Sequence, residues 1–183
     1  MKNEIEAFRN RFESLRPQIE RGIEENRKRD LTVVVKGKDG QAIPDANIKI
    51  SQTTHGFRFG CNALKWGQLG ELNERYGEEF TRLFNLVTTT CCWSITETKP
   101  GIFRFSDSDG DMPRRPPIDR MVHFARERNI ALKCQPLLAD SWTPEWSAKN
   151  PEVFRAQWIE FVRKMAQKYA GVVDVWDVVN EAF

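Results

Sequence analysis

The stretch VVDVWDVVNE at residues 172–181 decides how the fold is interpreted. Strand-forming residues lead up to an amide, Asn180, and a carboxylate, Glu181. The stretch follows a long helical pattern with a favourable N-cap in Asn150, proline at the first helical position and Gly171 after its end. A helix followed at once by a short apolar strand predicts a unit of a parallel β-sheet.

The same alternation of strand and helix begins at Phe57. The predicted strands are FRFGCNAL (57–64), LVTTTCCW (86–93), IALKCQPLL (130–138) and VVDVWDVVNE, and the predicted helices are NERYGEEFTRLFN (73–85), PIDRMVHFARERN (117–129) and NPEVFRAQWIEFVRKMAQKYAG (150–171). The strands are short and apolar, as expected for strands covered on both faces. The fold class is therefore α/β, either part of a doubly wound sheet or part of an eight-stranded barrel.

Polar and aromatic residues collect directly after each predicted strand. The residues in question are Asn62, Trp93, Asp140, Trp142, Asn180 and Glu181. A doubly wound dinucleotide-binding sheet would need a glycine-rich turn after the first strand, and FGCNALKWGQLG does not have the required spacing. Clustering at the carboxyl ends of strands is where a barrel places its active site, which favours the barrel.

Two further segments precede this α/β region, which we assign to residues 55–183. In residues 1–30 an apolar residue recurs every three or four positions, at Ile5, Phe8, Phe12, Leu15, Ile19 and Ile23, which predicts an amphipathic helix that Pro17 splits or kinks. We expect its apolar face to pack on the rest of the chain, with a partner-binding helix as the alternative. Residues 31–54 predict a β-strand extension that turns at Asp39-Gly40.

Composition excludes several classes of partner. The chain has 183 residues and a net charge of +2, which gives no electrostatic case for nucleic acid or a membrane surface. No apolar run reaches the length of a membrane-spanning helix, and the first residues, MKNEIEAFRN, lack the apolar core of a signal peptide. We therefore expect either a cytoplasmic protein or one whose leader was removed or lies outside this sequence.

Cysteine and histidine usage predicts no metal centre. Cys61, Cys91, Cys92 and Cys134 show no metal-ligand spacing with each other or with the two histidines. We expect all four to be small buried residues, and no cofactor is indicated.

The residues WDVVNE, 176–181, carry the most specific chemical signal. A carboxylate at a strand end, partly desolvated by apolar neighbours, has a raised pKa and can act as a general acid/base. The Asn180 amide can bind a sugar hydroxyl. Strict alternation points Asn180 and Glu181 to opposite faces, so joint use requires a twist or bulge. The alternative is a strand that ends in an ordinary solvated glutamate.

These stretches resemble glycoside hydrolase family 10, the family of the endo-β-1,4-xylanases. FRFGCN resembles its first barrel strand, LFNLVTTTCCW with ETKPGIFRF its second strand and following stretch, IALKCQPLLADSWTPEW its third, and VDVWDVVNE its fourth. The resemblance implies the first four βα units of a TIM (β/α)8 barrel.

The resemblance also implies roles for individual residues. Glu181 matches the acid/base catalyst, and Asn180 matches the amide that contacts the sugar. Trp93 matches the tryptophan after the second strand. The other candidate substrate-binding residues are Gln135, Asp140, Trp142 and Asn62, which follow the strands; Trp142 either stacks on a sugar face or covers an edge of the core. The sequence departs from the family where Gln135 replaces a histidine, where Ala139 and Asp140 stand for tryptophan and histidine, and where Thr89 and Cys92 stand for asparagine and lysine.

A barrel of this type has ~250 residues, and residues 57–183 supply about half of it. In the family a second glutamate on the seventh strand is the nucleophile of a retaining mechanism. We therefore expect a truncated hydrolase that carries the acid/base without the nucleophile, is inactive alone, and has an exposed fourth-strand edge. Its expected partners are a β-linked polysaccharide or oligosaccharide and either the missing half of the barrel or a second copy. The alternative is a catalytically inactive carbohydrate-binding or relic half-barrel.

Overall fold

The structure, a computed structural model, describes residues 2–181 and divides into two compact units, Met1–Thr53 and Thr54–Phe183. The sequence-based domain boundaries after residues 30 and 54 remain predictions.

The first unit contains one long helix, α1 (Lys2–Arg27), which includes Pro17. The helix is continuous, so the predicted split into two helices is wrong. Its apolar side chains are exposed, with Phe8 at 68% and Phe12 at 41% of full exposure. Contacts within the helix support it, such as the stacked rings of Phe8 and Phe12 and the ion pair between Glu13 and Arg16 at 2.6 Å.

The rest of the first unit is a short hairpin turn. One antiparallel bridge joins Lys36 and Ala42 around the turn, where Gly40 has a φ of 78°. The Oδ1 atom of Asp39 accepts a hydrogen bond of 3.1 Å from the amide of Gln41. The described residues between 31 and 54 form no longer ladder, so the expected β extension is reduced to this turn. A two-stranded ribbon alone is marginal, which accounts for the difference.

The second unit alternates strands and helices in chain order. Its elements are β1 (Gly60–Asn62), α2 (Asn73–Leu83), β2 (Leu86–Thr90), α3 (Trp93–Thr96), β3 (Glu97–Lys99), β4 (Ile102–Phe103), α4 (Ile118–Glu127), β5 (Ala131–Gln135), α5 (Pro151–Tyr169) and β6 (Val175–Trp176), with 3-10 turns at Gly70–Leu72, Asp107–Asp109 and Asp140–Trp142. The predicted α/β class is confirmed. None of the described helices is long and apolar enough to span a membrane.

Four of the strands form one parallel sheet in the order β1-β2-β5-β6. The register aligns Asn62 with Thr88, Thr88 with Lys133, and Lys133 with Val175, so these residues share one face. The face also carries an ion pair of 3.2 Å between Lys133 and Asp177.

The opposite face of the sheet supports the core. Val87, Leu132 and Cys134 are at most 1% exposed and belong to one apolar cluster with Met121 and Phe124 of α4. Helices α2 and α5 add further rings to this cluster, among them those of Phe80 and Phe161. The sheet is therefore positioned by helices on this face, and its carboxyl edge is fixed with it.

Two local expectations differ from the structure. Cys61 is exposed in the edge strand β1, whereas the other three cysteines are buried. Strands β3 and β4 form an antiparallel hairpin that the helix–strand pattern did not predict, although Pro100-Gly101, with Gly101 at a φ of 76°, is a turn signal.

Candidate active site

A cavity of about 160 Å³ opens at the carboxyl ends of the parallel strands. Five of the predicted site residues line it: Asn62, Gln135, Trp142, Asn180 and Glu181. The rest of its lining consists of Leu64, Thr90, Cys92, Arg115 and Pro136. The parallel arrangement brings residues together that lie far apart in the sequence, because every strand ends at the same edge of the sheet.

The backbone after β6 places Asn180 and Glu181 at the same cavity. The ladder continues past β6, since Val179 bridges Leu138 and the amide of Asn180 donates a 2.9 Å hydrogen bond to the Leu138 carbonyl. Glu181 then adopts a left-handed φ of 56°. This change of backbone direction is the bend that joint use of the two side chains requires.

The predicted site residue Trp93 does not line this cavity. Its side chain is fully buried in the core, where it packs against Trp146 and Phe161, and its Nε1 donates a 2.8 Å hydrogen bond to Oε2 of Glu97. The other oxygen of Glu97 accepts a 2.8 Å bond from the amide of Gly101. Trp93 therefore fixes the turn after β2 and presents no surface to a sugar.

The 3-10 turn at Asp140–Trp142 contains two predicted site residues, which lie in different environments. Asp140 is exposed and does not line the cavity, whereas Trp142 does. Trp142 also lines a neighbouring open groove of about 710 Å³ together with Ser94, Thr98 and Trp146. Trp142 thus links two adjoining spaces at the same edge of the sheet.

Cys92 brings a protonated thiol to the cavity. Burial raises its pKa to about 11, and the nearby Arg115 charge only partly opposes that effect. The thiol is therefore not a nucleophile near neutral pH. The neighbouring hydroxyl of Thr90 is buried and has no hydrogen-bond partner among the described residues, so it has unused capacity toward a ligand.

Arg115 is the functional candidate that sequence reasoning missed. The run MPRRPP at 112–117 reads as a solvated basic loop. The structure instead turns Arg115 into the cavity, with its guanidinium 4.9 Å from the ring centre of Trp142. No local signal could have found it, because its position depends on residues far away in the sequence.

One of these distant residues is Gln68, which fixes the loop before Arg115. Its Oε1 accepts a 2.7 Å hydrogen bond from the amide of Arg114, and its Nε2 donates a 2.7 Å bond to the Met112 carbonyl. Arg114 has a left-handed φ of 60°. Such backbone outliers in non-glycine residues persist only where surrounding contacts enforce them, and they cluster at functional sites.

The second anchor is Arg104, which is 5% exposed. Its guanidinium donates to three backbone carbonyls, those of Ile95 at 3.2 Å, Gly110 at 3.3 Å and Arg115 at 2.9 Å. Buried backbone oxygens are satisfied in this way, and the loop is tied to the turn after β2. The position of Arg115 is therefore built into the fold.

Comparison with known proteins identifies the family. The sequence model of glycosyl hydrolase family 10 matches residues 48–183. The chain belongs to this family. The match confirms the resemblance of the strand motifs to this family.

Two curated proteins that the chain resembles are xylanases. The chain is 27% identical over 172 residues to endo-1,4-beta-xylanase 4 of Arabidopsis thaliana, an alignment that covers 91% of this chain and 28% of the relative. It is 29% identical over 91 residues to a beta-1,4-xylanase of Dictyoglomus thermophilum, covering 49% of this chain and 23% of the relative. The chain thus spans about a quarter of the length of the curated relatives it matches. The plant alignment extends into the residues before 48, which the family model leaves out.

Solved structures of family 10 share the fold. Xylanase 10B of Thermotoga maritima aligns with a TM-score of 0.54 at 21% identity, over 68% of this chain and 36% of that protein. CbXyn10B aligns with a TM-score of 0.54 at 24% identity, over 69% and 36%. These likenesses identify an α/β fold of the TIM-barrel type.

Proposed function

We propose that Glu181 is the acid/base catalyst of a retaining glycoside hydrolase that acts on a β-linked, xylan-type polysaccharide. The observation that carries the proposal is the convergence of Glu181 with Asn180, Gln135 and Asn62 at one cavity on the carboxyl edge of a family-10 sheet. The similarity to two β-1,4-xylanases supports a β-1,4-linked xylose chain as the substrate.

The residues around the cavity suit the roles proposed for them. The carboxyl group of Glu181 protonates the oxygen of the leaving sugar and later deprotonates the water that releases the product. The amides of Asn62, Gln135 and Asn180 offer donors and acceptors to sugar hydroxyls. Trp142 offers an apolar face at the rim.

The reaction needs a second carboxylate. In a retaining enzyme the nucleophile lies ~5–5.5 Å from the acid/base. Among the described residues, Glu181 is the one acidic side chain that lines the cavity. We therefore propose that the nucleophile comes from outside the 183 residues, either from further chain that completes the barrel or from another copy, and that these residues alone do not hydrolyse glycosides.

The test uses a completed barrel. The chain is extended with its own reading frame beyond residue 183 or with the corresponding segment of the Thermotoga maritima xylanase. Glu181→Gln should lower kcat/KM on xylan by about 10²–10⁴-fold, because proton transfer to the leaving oxygen is lost. On an aryl xylobioside with an acidic phenol leaving group, the Glu181→Gln variant should retain the rate of the first step, in which the phenol departs. Added azide should restore turnover of this substrate.

The matched control is Glu145→Gln, which changes an exposed carboxylate in the neighbouring groove. It should leave the rate on the aryl substrate and its azide response unchanged. Unchanged activity of Glu181→Gln on xylan would remove Glu181 from the acid/base role.

A second function is favoured by the content of the cavity, which combines one carboxylate with the neutral thiol of Cys92. A catalytically inactive carbohydrate-binding protein would bind xylo-oligosaccharides through the same amides. Binding without turnover in the completed barrel would select this function over hydrolysis.

A further inference from the structure

Arg115 has a charge that its surroundings leave unused. Among the described residues, it is the one cationic side chain that lines the cavity, and it forms no ion pair there. Its Nη1 donates a 2.8 Å hydrogen bond to the Arg114 carbonyl, and its buried Nε has no hydrogen-bond partner in the part of the chain that the structure describes. The edge of the guanidinium formed by Nε and Nη2 therefore keeps donor capacity for an acceptor.

The residues around Arg115 fix the position of this edge. The guanidinium carbon lies 4.9 Å from the ring centre of Trp142, and the main chain of Arg115 is held through its carbonyl by the buried Arg104. A planar, pre-positioned fork matches the two oxygens of a carboxylate and forms two parallel charge-assisted hydrogen bonds. A lysine-like point charge on a mobile stem would lack this preference.

The other residues of the cavity indicate which kind of molecule would carry such a carboxylate. Asn62, Gln135 and Asn180 present amides, and Thr90 presents a buried hydroxyl that has no hydrogen-bond partner among the described residues. These groups suit a ring bearing several hydroxyls. The cavity of about 160 Å³ is smaller than the about 300 Å³ at which drug-sized ligand sites begin, so it suits one sugar unit.

We propose that this cavity selects a hexuronic acid unit, whose carboxylate is bound by Arg115. The inference rests on the proposed function, because it assumes that the cavity binds sugars, and it adds a preference for acidic over neutral units. The acidic unit is either a branch on a neutral β-linked chain or part of the main chain.

The experiment measures binding by titration calorimetry with the 183-residue chain. Three probes are used: a xylo-oligosaccharide with one glucuronosyl branch, the same compound after reduction of its carboxyl group to an alcohol, and a linear oligosaccharide of β-1,4-linked glucuronate. The acidic compound should bind about tenfold more tightly than its reduced counterpart, as expected for charge-assisted hydrogen bonds. The linear compound shows whether the acidic unit lies in the main chain.

Arg115→Gln should abolish the preference while leaving the affinity for the reduced compound within about twofold. Arg114→Asn is the matched control, because it removes the same charge from an exposed neighbour and asparagine tolerates the left-handed backbone there. That control should retain the preference. Circular dichroism of each variant verifies that it is folded.

The outcomes separate this inference from the proposed function. Equal binding of the acidic and reduced compounds overturns the role of Arg115 and leaves sugar binding intact. An equal loss of preference in both variants shows a non-specific charge effect and also overturns it. Binding of none of the three probes overturns both the inference and the carbohydrate site.

Discussion

Helices α1 and α5 have the same kind of amphipathic sequence pattern but lie in different environments. In α5 the apolar face is covered, with Phe161 and Met165 fully buried and Tyr169 at 2% exposure. In α1 the corresponding face is exposed, from Phe12 at 41% to Phe8 at 68%. Because α5 lies in the crossover between the neighbouring parallel strands β5 and β6, it must lie on the sheet. Periodicity therefore specifies which face of a helix is apolar, and connectivity specifies what covers it.

The largest test of this difference removes one phenylalanine from each helix. Phe161→Ala should lower the free energy of unfolding by about 3–5 kcal/mol, because it opens a cavity in the core. Phe12→Ala should change it by less than about 0.5 kcal/mol. Urea denaturation measures both. Comparable losses would show that the face of α1 is covered in solution.

The second test uses pH, because the second unit buries groups with raised pKa values. Burial raises the pKa of the Cys92 thiol to about 11, above its ordinary value of 9.0. Between these values the unfolded chain has lost the proton while the folded chain keeps it, so stability is full below pH 9 and falls as pH rises toward 11. Cys92→Ala should reduce this fall by about 2 kcal/mol.

Urea denaturation at about pH 8 and about pH 10.5 measures the difference. Burial also raises the pKa of Tyr169 and of Cys91, so a smaller alkaline loss should remain in the variant. Cys61→Ala, at the exposed cysteine, serves as the control for removing a thiol. An unchanged alkaline slope in Cys92→Ala would contradict the buried, protonated thiol.

The smallest test concerns how α5 begins. The side chain of Asn150 accepts hydrogen bonds from the amides of Glu152 at 3.0 Å and Val153 at 3.2 Å. Asn150→Ala should cost about 1 kcal/mol of stability, whereas Asn150→Asp keeps an acceptor and should cost little. Chemical denaturation compares the two. Equal losses would show that the cap contributes nothing to holding α5 on the sheet.

The features of the fold that depend on local chemistry could be predicted from sequence. The N-cap at Asn150 and the stop at Gly171 are local signals, and both are present in the structure. The extent of β6 was not predictable, since its regular ladder covers Val175–Trp176 and continues only as an isolated bridge at Val179. Pairing depends on the neighbouring strand, which a single stretch of sequence does not contain.

The candidate site likewise contains some residues that the sequence could predict and others that it could not. Asn62, Gln135 and Glu181 could be placed together because the ends of parallel strands meet at one edge. Trp93 could not be distinguished from a rim residue, because its burial depends on the distant ring of Phe161 and on the Glu97 carboxylate. Arg115 could not be found at all, because the contacts that position its loop come from Gln68 and Arg104.

The way this loop is held has a consequence for protein engineering. Gln68 and Arg104 bind its main chain, at the amide of Arg114 and the carbonyls of Met112, Gly110 and Arg115. Main-chain anchors do not depend on which side chains the loop carries. A combinatorial library at position 115 can therefore vary the chemistry of the cavity wall on an unchanged backbone, provided that positions 68 and 104 are kept constant.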